Sequence, residues 1–172
     1  TPAELCSRLR RLERTIASGE KHLKPVEGAL KDSGGVFAFS GNGSQWRGMG
    51  THLMRHNAEF KAALEEVDSL LSPRQGWSLL DIFTAPEKHP LAYEHTEKSQ
   101  PLLFAMQVGL VRALAAKGVT PMAVTGHSVG EVAAAWACGA LSLEDAVSVI
   151  HYRSALQERL RDKGGMAVVT AP

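Results

Sequence analysis

The pentapeptide GHSVG at residues 126–130 constrains the fold of this chain more than any other feature. It has the pattern Gly-x-Ser-x-Gly, which is typical of a nucleophile elbow, a sharp turn between a strand and a helix. The short apolar run 122–125 precedes the motif and is suited to a buried strand. Residues 131–138 follow it and are rich in good helix formers. This order predicts a strand, a tight turn and a helix, with Ser128 presented at the turn.

A steric argument explains the two glycines of the motif. An elbow strains the backbone at its nucleophile and brings other chain segments close, so larger side chains beside the nucleophile would clash. The Ser128 hydroxyl would then be accessible at a helix N-terminus, with backbone N–H groups directed at the reacting centre. The alternative is a glycine-rich turn in which Ser128 is an ordinary helix N-cap. The flanking strand and helix favour the nucleophile.

Length, charge and cysteine content narrow the class of protein. The chain has 172 residues, enough for one domain with a hydrophobic core. A net charge of +1 indicates neither a nucleic-acid-binding protein nor a polybasic membrane anchor. No apolar run approaches the ~20 residues of a membrane span, and residues 1–20 lack a signal-peptide pattern. Two cysteines are too few for a disulfide framework or a structural zinc site. We therefore expect a cytoplasmic protein that binds no metal, no nucleic acid and no membrane.

The first 34 residues differ in character from the rest of the chain. Residues 3–18 carry leucine and isoleucine at helical spacing, which predicts an amphipathic helix. Residues 18–35 are polar, contain several glycines and a proline, and are typical of a linker. The main domain is therefore expected to begin at Gly35.

A glycine-rich loop follows the first strand of the main domain. Residues 36–39 form a short apolar run, and residues 40–50 contain glycines at four positions, where the backbone must approach another group closely. The loop lacks the lysine of a phosphate-binding P-loop and the third glycine of a dinucleotide-binding fingerprint. Either it is plain turn structure, or it offers backbone N–H groups to an anion. In the second case Asn42 is the candidate second donor of an oxyanion hole.

Further segments have helical periodicity or helix-start signals, namely residues 49–71, 78–83 (a short helix or a turn), 99–117 and 142–163. Pro73 is expected to end the first of them, and Gly118 to cap the third. Because these helices alternate with the two predicted strands, they imply a parallel sheet with helices packed on it. The predicted fold class is therefore α/β.

Polar side chains fall on apolar faces of the last two predicted helices. Gln100 and Gln107 lie one heptad apart, and each needs a hydrogen-bond partner if it is buried. Gln100 is a candidate pocket residue or a structural hydrogen bonder, whereas Gln107 is expected to be structural. Arg153 lies on the face of the last helix, and a buried guanidinium requires an anion, either a structural carboxylate or the carboxylate of a ligand. The apolar residues predicted on that face are Leu143, Ala146, Val149, Ile150, Leu156 and Leu160.

Several stretches together resemble malonyl-CoA:acyl carrier protein transacylases, in the form found as the acyltransferase domain of modular polyketide synthases. They follow one another along residues 36–170 as FSGNGSQW at 39–46, GMG at 48–50, SQP at 99–101, GHSVGE at 126–131 and GALSLEDA at 139–146. Residues 1–34 resemble the end of the linker between ketosynthase and acyltransferase in such synthases. The resemblance implies an incomplete α/β-hydrolase-like large subdomain over residues 35–163 and the first strand of a ferredoxin-like small subdomain within residues 164–172.

The resemblance also implies a mechanism. Ser128 takes an acyl group from a CoA thioester and passes it to the phosphopantetheine thiol of an acyl carrier protein, with no bound cofactor. The family's oxyanion hole falls on the backbone N–H groups of Asn42 and Val129. The family's arginine for the extender carboxylate, 25 residues after the serine, falls on Arg153. The expected partners are malonyl-CoA or a related carboxyacyl-CoA, an acyl carrier protein and a neighbouring ketosynthase domain.

The sequence departs from the family pattern in two ways. The family usually has glutamine where Asn42 stands, and its catalytic histidine follows the small subdomain, whereas only 44 residues follow Ser128 here. Adjacent residues around an elbow point apart, so His127 is a candidate pocket residue and not the missing base. We therefore expect the chain to be the N-terminal portion of a longer acyltransferase, inactive by itself. The aliphatic Val129 favours malonyl over methylmalonyl units.

Two other functions are compatible with an elbow. An α/β-hydrolase-type serine esterase or thioesterase uses the same turn but needs an acid and a histidine downstream. A truncated, non-catalytic module would act as an interaction scaffold. A carboxylate clamp at Arg153 would separate the acyltransferase from a simple esterase.

Overall fold

The computed structural model describes residues 35–165. The predicted linker 1–34, with its helix over 3–18, and the predicted first strand of a small subdomain lie outside the described residues. The domain boundaries drawn from the sequence therefore stay predictions.

Two short strands pair in parallel and set the position of the elbow. Strand β1 (Val36–Phe39) and strand β2 (Ala123–Gly126) are in register, with Phe39 opposite Gly126. The His127 N–H donates to the Phe39 carbonyl oxygen at 3.0 Å, so the pairing extends into the turn. Because the carboxyl ends of parallel strands share one edge of a sheet, the loop after β1 and the elbow after β2 meet there. The predicted α/β class with a parallel sheet is confirmed.

Helices make up most of the described chain. In order they are α1 (Thr51–His56), α2 (Ala58–Gln75), α3 (Leu79–Thr84), α4 (Thr96–Ala115), α5 (Gly130–Ala137) and α6 (Leu143–Glu158), with 3-10 turns at Pro86–Lys88 and Pro90–Tyr93. Helices α2, α4 and α6 pack against one another, and α5 packs against both strands. The large side chains that are fully buried in this core include Phe60, Leu64, Leu71, Phe83, Leu102, Phe104 and Ile150. Among residues 35–165, no helix combines the length and the apolar character needed to cross a bilayer.

The predicted helix 49–71 is divided in two at Asn57. This residue has extended backbone, and its side chain accepts a hydrogen bond from the Phe60 N–H at 2.8 Å. Such an N-cap satisfies a free N–H at the start of α2 and turns the chain between the two helices.

Helix α2 continues past Pro73 to Gln75, so the prediction that Pro73 ends it was wrong. A proline inside a helix removes one N–H donor and crowds the carbonyl group four residues earlier, at a cost of about 3 kcal/mol. The packing of α2 against α4 and α6 overrides that cost. The helix ends instead at Gly76, which has φ 73° and donates its N–H to the Ser72 carbonyl oxygen at 2.9 Å.

Helix α4 begins at Thr96, earlier than the predicted Ser99, and ends as the glycine signal predicts. Gly118 has φ 76°, and the Val119 N–H donates to the Leu114 carbonyl oxygen at 3.0 Å. This left-handed cap satisfies the last carbonyl groups of the helix.

Helix α6 is shorter than predicted and packs through a narrower face. Ser142 caps it, accepting from the Asp145 N–H at 3.0 Å, and the helix ends at Glu158 instead of near residue 163. Its buried residues are Ala146, Val147, Ile150 and Ser154. The predicted apolar face was wrong at three positions. The neighbouring helices cover only the side that carries the buried residues, and they leave Val149, Leu156 and Leu160 exposed.

Candidate active site

The elbow has the strained backbone that a nucleophile turn requires. Ser128 is half-buried and adopts φ 55°, a left-handed conformation that is uncommon outside glycine. A Cβ atom at Gly130 would overlap the carbonyl oxygen of Phe39 and lie 2.7 Å from its carbonyl carbon. One at Gly126 would lie 2.5 Å from the Glu131 nitrogen. Both motif glycines therefore let backbone segments approach more closely than a side chain would permit.

Arg153 on α6 is a hydrogen-bond donor to the Ser128 hydroxyl. Its Nη2 donates to Ser128 Oγ at 3.0 Å, and its Nη1 donates to Gln100 Oε1 and, at 3.4 Å, to Gln157 Oε1. Gln100 is 1% exposed and donates through Nε2 to Gln157 Oε1 at 2.6 Å. One hydrogen-bond network thus joins the elbow serine, the arginine and a glutamine from each of α4 and α6.

No carboxylate neutralises the Arg153 guanidinium within residues 35–165. None of the ion pairs in that region includes Arg153. Its polar partners there are one hydroxyl and two carboxamides, all uncharged. Of the two anions that the sequence left open, the structural carboxylate is therefore not observed in the described chain. The arrangement is suited to an anionic ligand beside Ser128.

The glycine-rich loop after β1 is held in place by two glutamines. Gln107 donates through Nε2 to the Ser40 carbonyl oxygen at 2.9 Å, and Gln45 donates to the Tyr93 carbonyl oxygen at 3.1 Å. Gln107 thus makes a hydrogen bond to the backbone that fixes the start of the loop.

The same loop lies against the elbow and the start of α4. A Cβ atom at Gly41 would lie 2.5 Å from His127 Nδ1, so the exposed histidine ring packs where no side chain larger than glycine fits. Asn42 is also exposed, and its Oδ1 accepts from Ser99 Oγ at 3.4 Å, one residue before Gln100. The loop, the elbow and the start of α4 therefore surround one location at the end of the sheet.

The sequence-predicted site residues fall into two groups. Those that share hydrogen bonds are Ser128, Gln100 and Arg153. Those that lie in the elbow or in the loop packed against it are Asn42, His127 and Val129, the last fully buried. Sequence reasoning missed Gln157. A signal was present, since Gln157 follows Arg153 by four residues and such pairs share one face of a helix.

Glu158 ties the end of α6 to the start of α4. Its carboxylate accepts from Arg161 Nη1 at 2.9 Å and from the Glu97 N–H at 3.3 Å, and it lies 3.1 Å from His95 Nδ1. Burial raises the pKa of Glu158, but hydrogen bonds from Arg161 and from N–H groups at the start of α4 outweigh burial and lower that pKa below its usual value.

We expect Glu158→Gln to reduce the free energy of unfolding at neutral pH by about 1 kcal/mol. Because the pKa is lower in the folded state, the ionised carboxylate stabilises the fold above its unfolded pKa. That contribution is lost as the pH falls through the folded pKa. Urea denaturation should therefore give different free energies of unfolding for variant and wild type at pH ~7. The two values should converge in acid. Glu87→Gln, at an exposed glutamate, is the control, and a difference that persists unchanged into acid would contradict the prediction.

Comparison with known proteins identifies the family. The family model for the acyl transferase domain matches residues 36–171. The chain belongs to this family. The acyltransferase chain is 44% identical over 172 residues to a mycocerosic acid synthase-like polyketide synthase of Mycobacterium tuberculosis, covering 100% of this chain and 8% of that protein. It is 43% identical over 159 residues, 91% of this chain and 4% of the relative, to the spectinabilin polyketide synthase system protein NorA' of Streptomyces orinoci.

Solved acyltransferase structures have the same fold. The acyltransferase domain of the polyketide synthase PpsC of Mycobacterium tuberculosis is similar with a TM-score of 0.67 and 41% identity, over 74% of this chain and 38% of that chain. A loading acyltransferase from the avermectin modular polyketide synthase is similar with a TM-score of 0.69 and 37% identity, over 74% and 40% of the two chains. The resemblance to acyltransferase domains of polyketide synthases is therefore confirmed. The chain spans less than half of these domains and less than a tenth of the curated relatives.

Proposed function

We propose that this chain supplies the nucleophile and the carboxylate-binding arginine of an acyltransferase that moves a malonyl-type unit from CoA to an acyl carrier protein. The observation that carries the proposal is the 3.0 Å hydrogen bond from Arg153 Nη2 to Ser128 Oγ. It sets a fixed cation beside a serine oxygen in an elbow, within a family of acyltransferase domains.

The reaction proceeds in two displacements. Ser128 Oγ attacks the thioester carbonyl carbon of the acyl-CoA, the C–S bond breaks, and the serine proton leaves with the CoA thiol. The phosphopantetheine thiol of the carrier protein then attacks the Ser128 ester, forming a new thioester and returning the proton to the serine. Backbone N–H groups of Asn42 and Val129 hold the oxyanion in both steps. We place the general base, a histidine by resemblance to the family, outside residues 35–165.

Arg153 selects the acyl group. In a malonyl thioester a single methylene separates the carboxylate from the reacting carbonyl, so a cation beside the nucleophile can reach the carboxylate while the carbonyl is under attack. A guanidinium keeps its charge and binds a carboxylate through two parallel N–H donors. Its uncharged protein partners leave the positive charge for the ligand. The aliphatic Val129 supports malonyl over methylmalonyl as the preferred unit.

Arg153→Ala in the full-length gene product is expected to lower kcat/KM for malonyl-CoA about 100-fold, while acetyl-CoA is used equally well or better. Two hydrogen bonds to a charged group, each contributing about 1.5 kcal/mol, correspond to this loss. Acylation rates with both thioesters, followed by intact mass, measure the preference directly. Arg153→Lys keeps the positive charge but lacks the two parallel N–H donors of a guanidinium. Its kcat/KM for malonyl-CoA should therefore lie between those of wild type and Arg153→Ala.

Two matched changes make this test specific. Arg159→Ala removes an exposed arginine just after α6 and should leave the preference unchanged. Cys138 is an exposed free thiol that can exchange with thioesters, so every protein is also tested with Cys138→Ser. If Arg153→Ala retains the wild-type ratio of malonyl to acetyl transfer, Arg153 does not bind the substrate carboxylate and the proposal fails.

A further inference from the structure

Gln157 contacts the arginine of the site but has no part in the mechanism above. Its Oε1 accepts from Arg153 Nη1 at 3.4 Å and from Gln100 Nε2 at 2.6 Å. Arg153 Nη1 also donates to Gln100 Oε1. The three side chains therefore form a closed ring of hydrogen bonds around one nitrogen of the guanidinium.

This ring determines which nitrogens of Arg153 are left for a ligand. A guanidinium has five N–H groups in one plane, two of them on Nη1. Nη1 donates to the side-chain oxygens of both glutamines, and Nη2 donates to Ser128 Oγ at 3.0 Å. Because the two glutamines engage Nη1, the edge formed by Nε and Nη2 is the one left for a two-pronged contact with a carboxylate.

We infer that Gln157 is a positioning residue that fixes the Arg153 guanidinium with its Nε–Nη2 edge towards the acyl chain. The inference rests on the proposed function. An arginine side chain has about 2 kcal/mol of rotamer entropy to lose when it is ordered. The ring with Gln157 orders it before the substrate arrives, so less affinity for the carboxylate is lost on binding. Gln157 is uncharged, so it holds the arginine without neutralising it.

Two replacements of Gln157 test this role in the full-length gene product. Gln157→Leu removes the acceptor and should raise KM for malonyl-CoA about tenfold, while kcat and all values for acetyl-CoA stay within about twofold. Gln157→Glu keeps an oxygen in place but sets an anion against Arg153 that competes with the ligand carboxylate. It should raise KM for malonyl-CoA about 100-fold, again sparing acetyl-CoA.

A control distinguishes positioning from packing. Gln75→Leu replaces a glutamine at the end of α2, where its Nε2 donates to the Trp77 carbonyl oxygen. This variant should leave KM and kcat unchanged for both malonyl-CoA and acetyl-CoA. If Gln157 only packed, its replacement would change the kinetic constants for both thioesters alike. Equal changes for malonyl-CoA and acetyl-CoA in Gln157→Leu, or no change for either, would overturn the inference.

Failure of the inference can be told apart from failure of the proposed function. Wild-type protein that transfers neither acyl group contradicts the proposed function. The ring is then still tested by nitrogen NMR of the Arg153 side chain, because hydrogen bonds from Nη1 slow rotation of the guanidinium. Slow rotation in wild type and fast rotation in Gln157→Leu support the ring, and equal rotation in both overturns it.

Discussion

Ser128→Ala is expected to abolish the acyl-enzyme and to lower transfer from malonyl-CoA by about 10³-fold or more. The elbow presents Ser128 Oγ, and Arg153 donates to that oxygen at 3.0 Å. Alanine removes the nucleophile while the backbone turn and the arginine stay in place. Intact-mass spectrometry of the full-length gene product, incubated with malonyl-CoA, should show a malonyl adduct on the wild type and none on the variant.

Two further serine variants sharpen this result. Ser69→Ala removes a hydroxyl that donates to the Glu66 carbonyl oxygen of its own helix, and it should leave labelling unchanged. Ser128→Gly should be as inactive as Ser128→Ala but more stable by about 1 kcal/mol, because glycine adopts φ 55° without strain. An adduct that persists in Ser128→Ala, in protein that also lacks the Cys138 thiol, would remove Ser128 from the mechanism.

The elbow could be predicted from sequence because its constraints are local. The left-handed φ of Ser128 and the close approach at Gly126 arise among residues of the turn itself. The contact at Gly130 involves the strand paired with β2 and follows from a parallel sheet. The five residues of the motif, with the strand and helix that flank them, are therefore enough to predict the elbow.

The surroundings of Arg153 could be predicted only in part. Helical periodicity shows which residues share a face, but it does not show which face the neighbouring helices cover. It therefore placed Val149 and Leu156 in the core, although α6 leaves both exposed. The contacts of Arg153 with Gln100 and Gln157 depend on how α4 and α6 pack. That packing is a tertiary property, which the spacing of residues along one helix does not contain.

Gly130→Ala is expected to destabilise the fold by about 3 kcal/mol or more, a large fraction of the total stability of a domain. The added Cβ atom would overlap the carbonyl group of Phe39. That group cannot move away freely, because its oxygen accepts the hydrogen bond from the His127 N–H at 3.0 Å. The chain must therefore either separate the end of β1 from the elbow or unfold.

Thermal and urea denaturation of the Gly130→Ala variant measure this loss, and labelling by malonyl-CoA reports on the elbow in any protein that remains folded. Gly35→Ala is the matched control, since a Cβ atom there meets nothing within 4 Å and its carbonyl oxygen still accepts from the Met122 N–H. It should be as stable as wild type. The close contact with β1 requires Gly130→Ala to lose both stability and labelling. A variant that kept both would show that the elbow can move away from the strand, and the serine would then be presented by a looser turn than the one described.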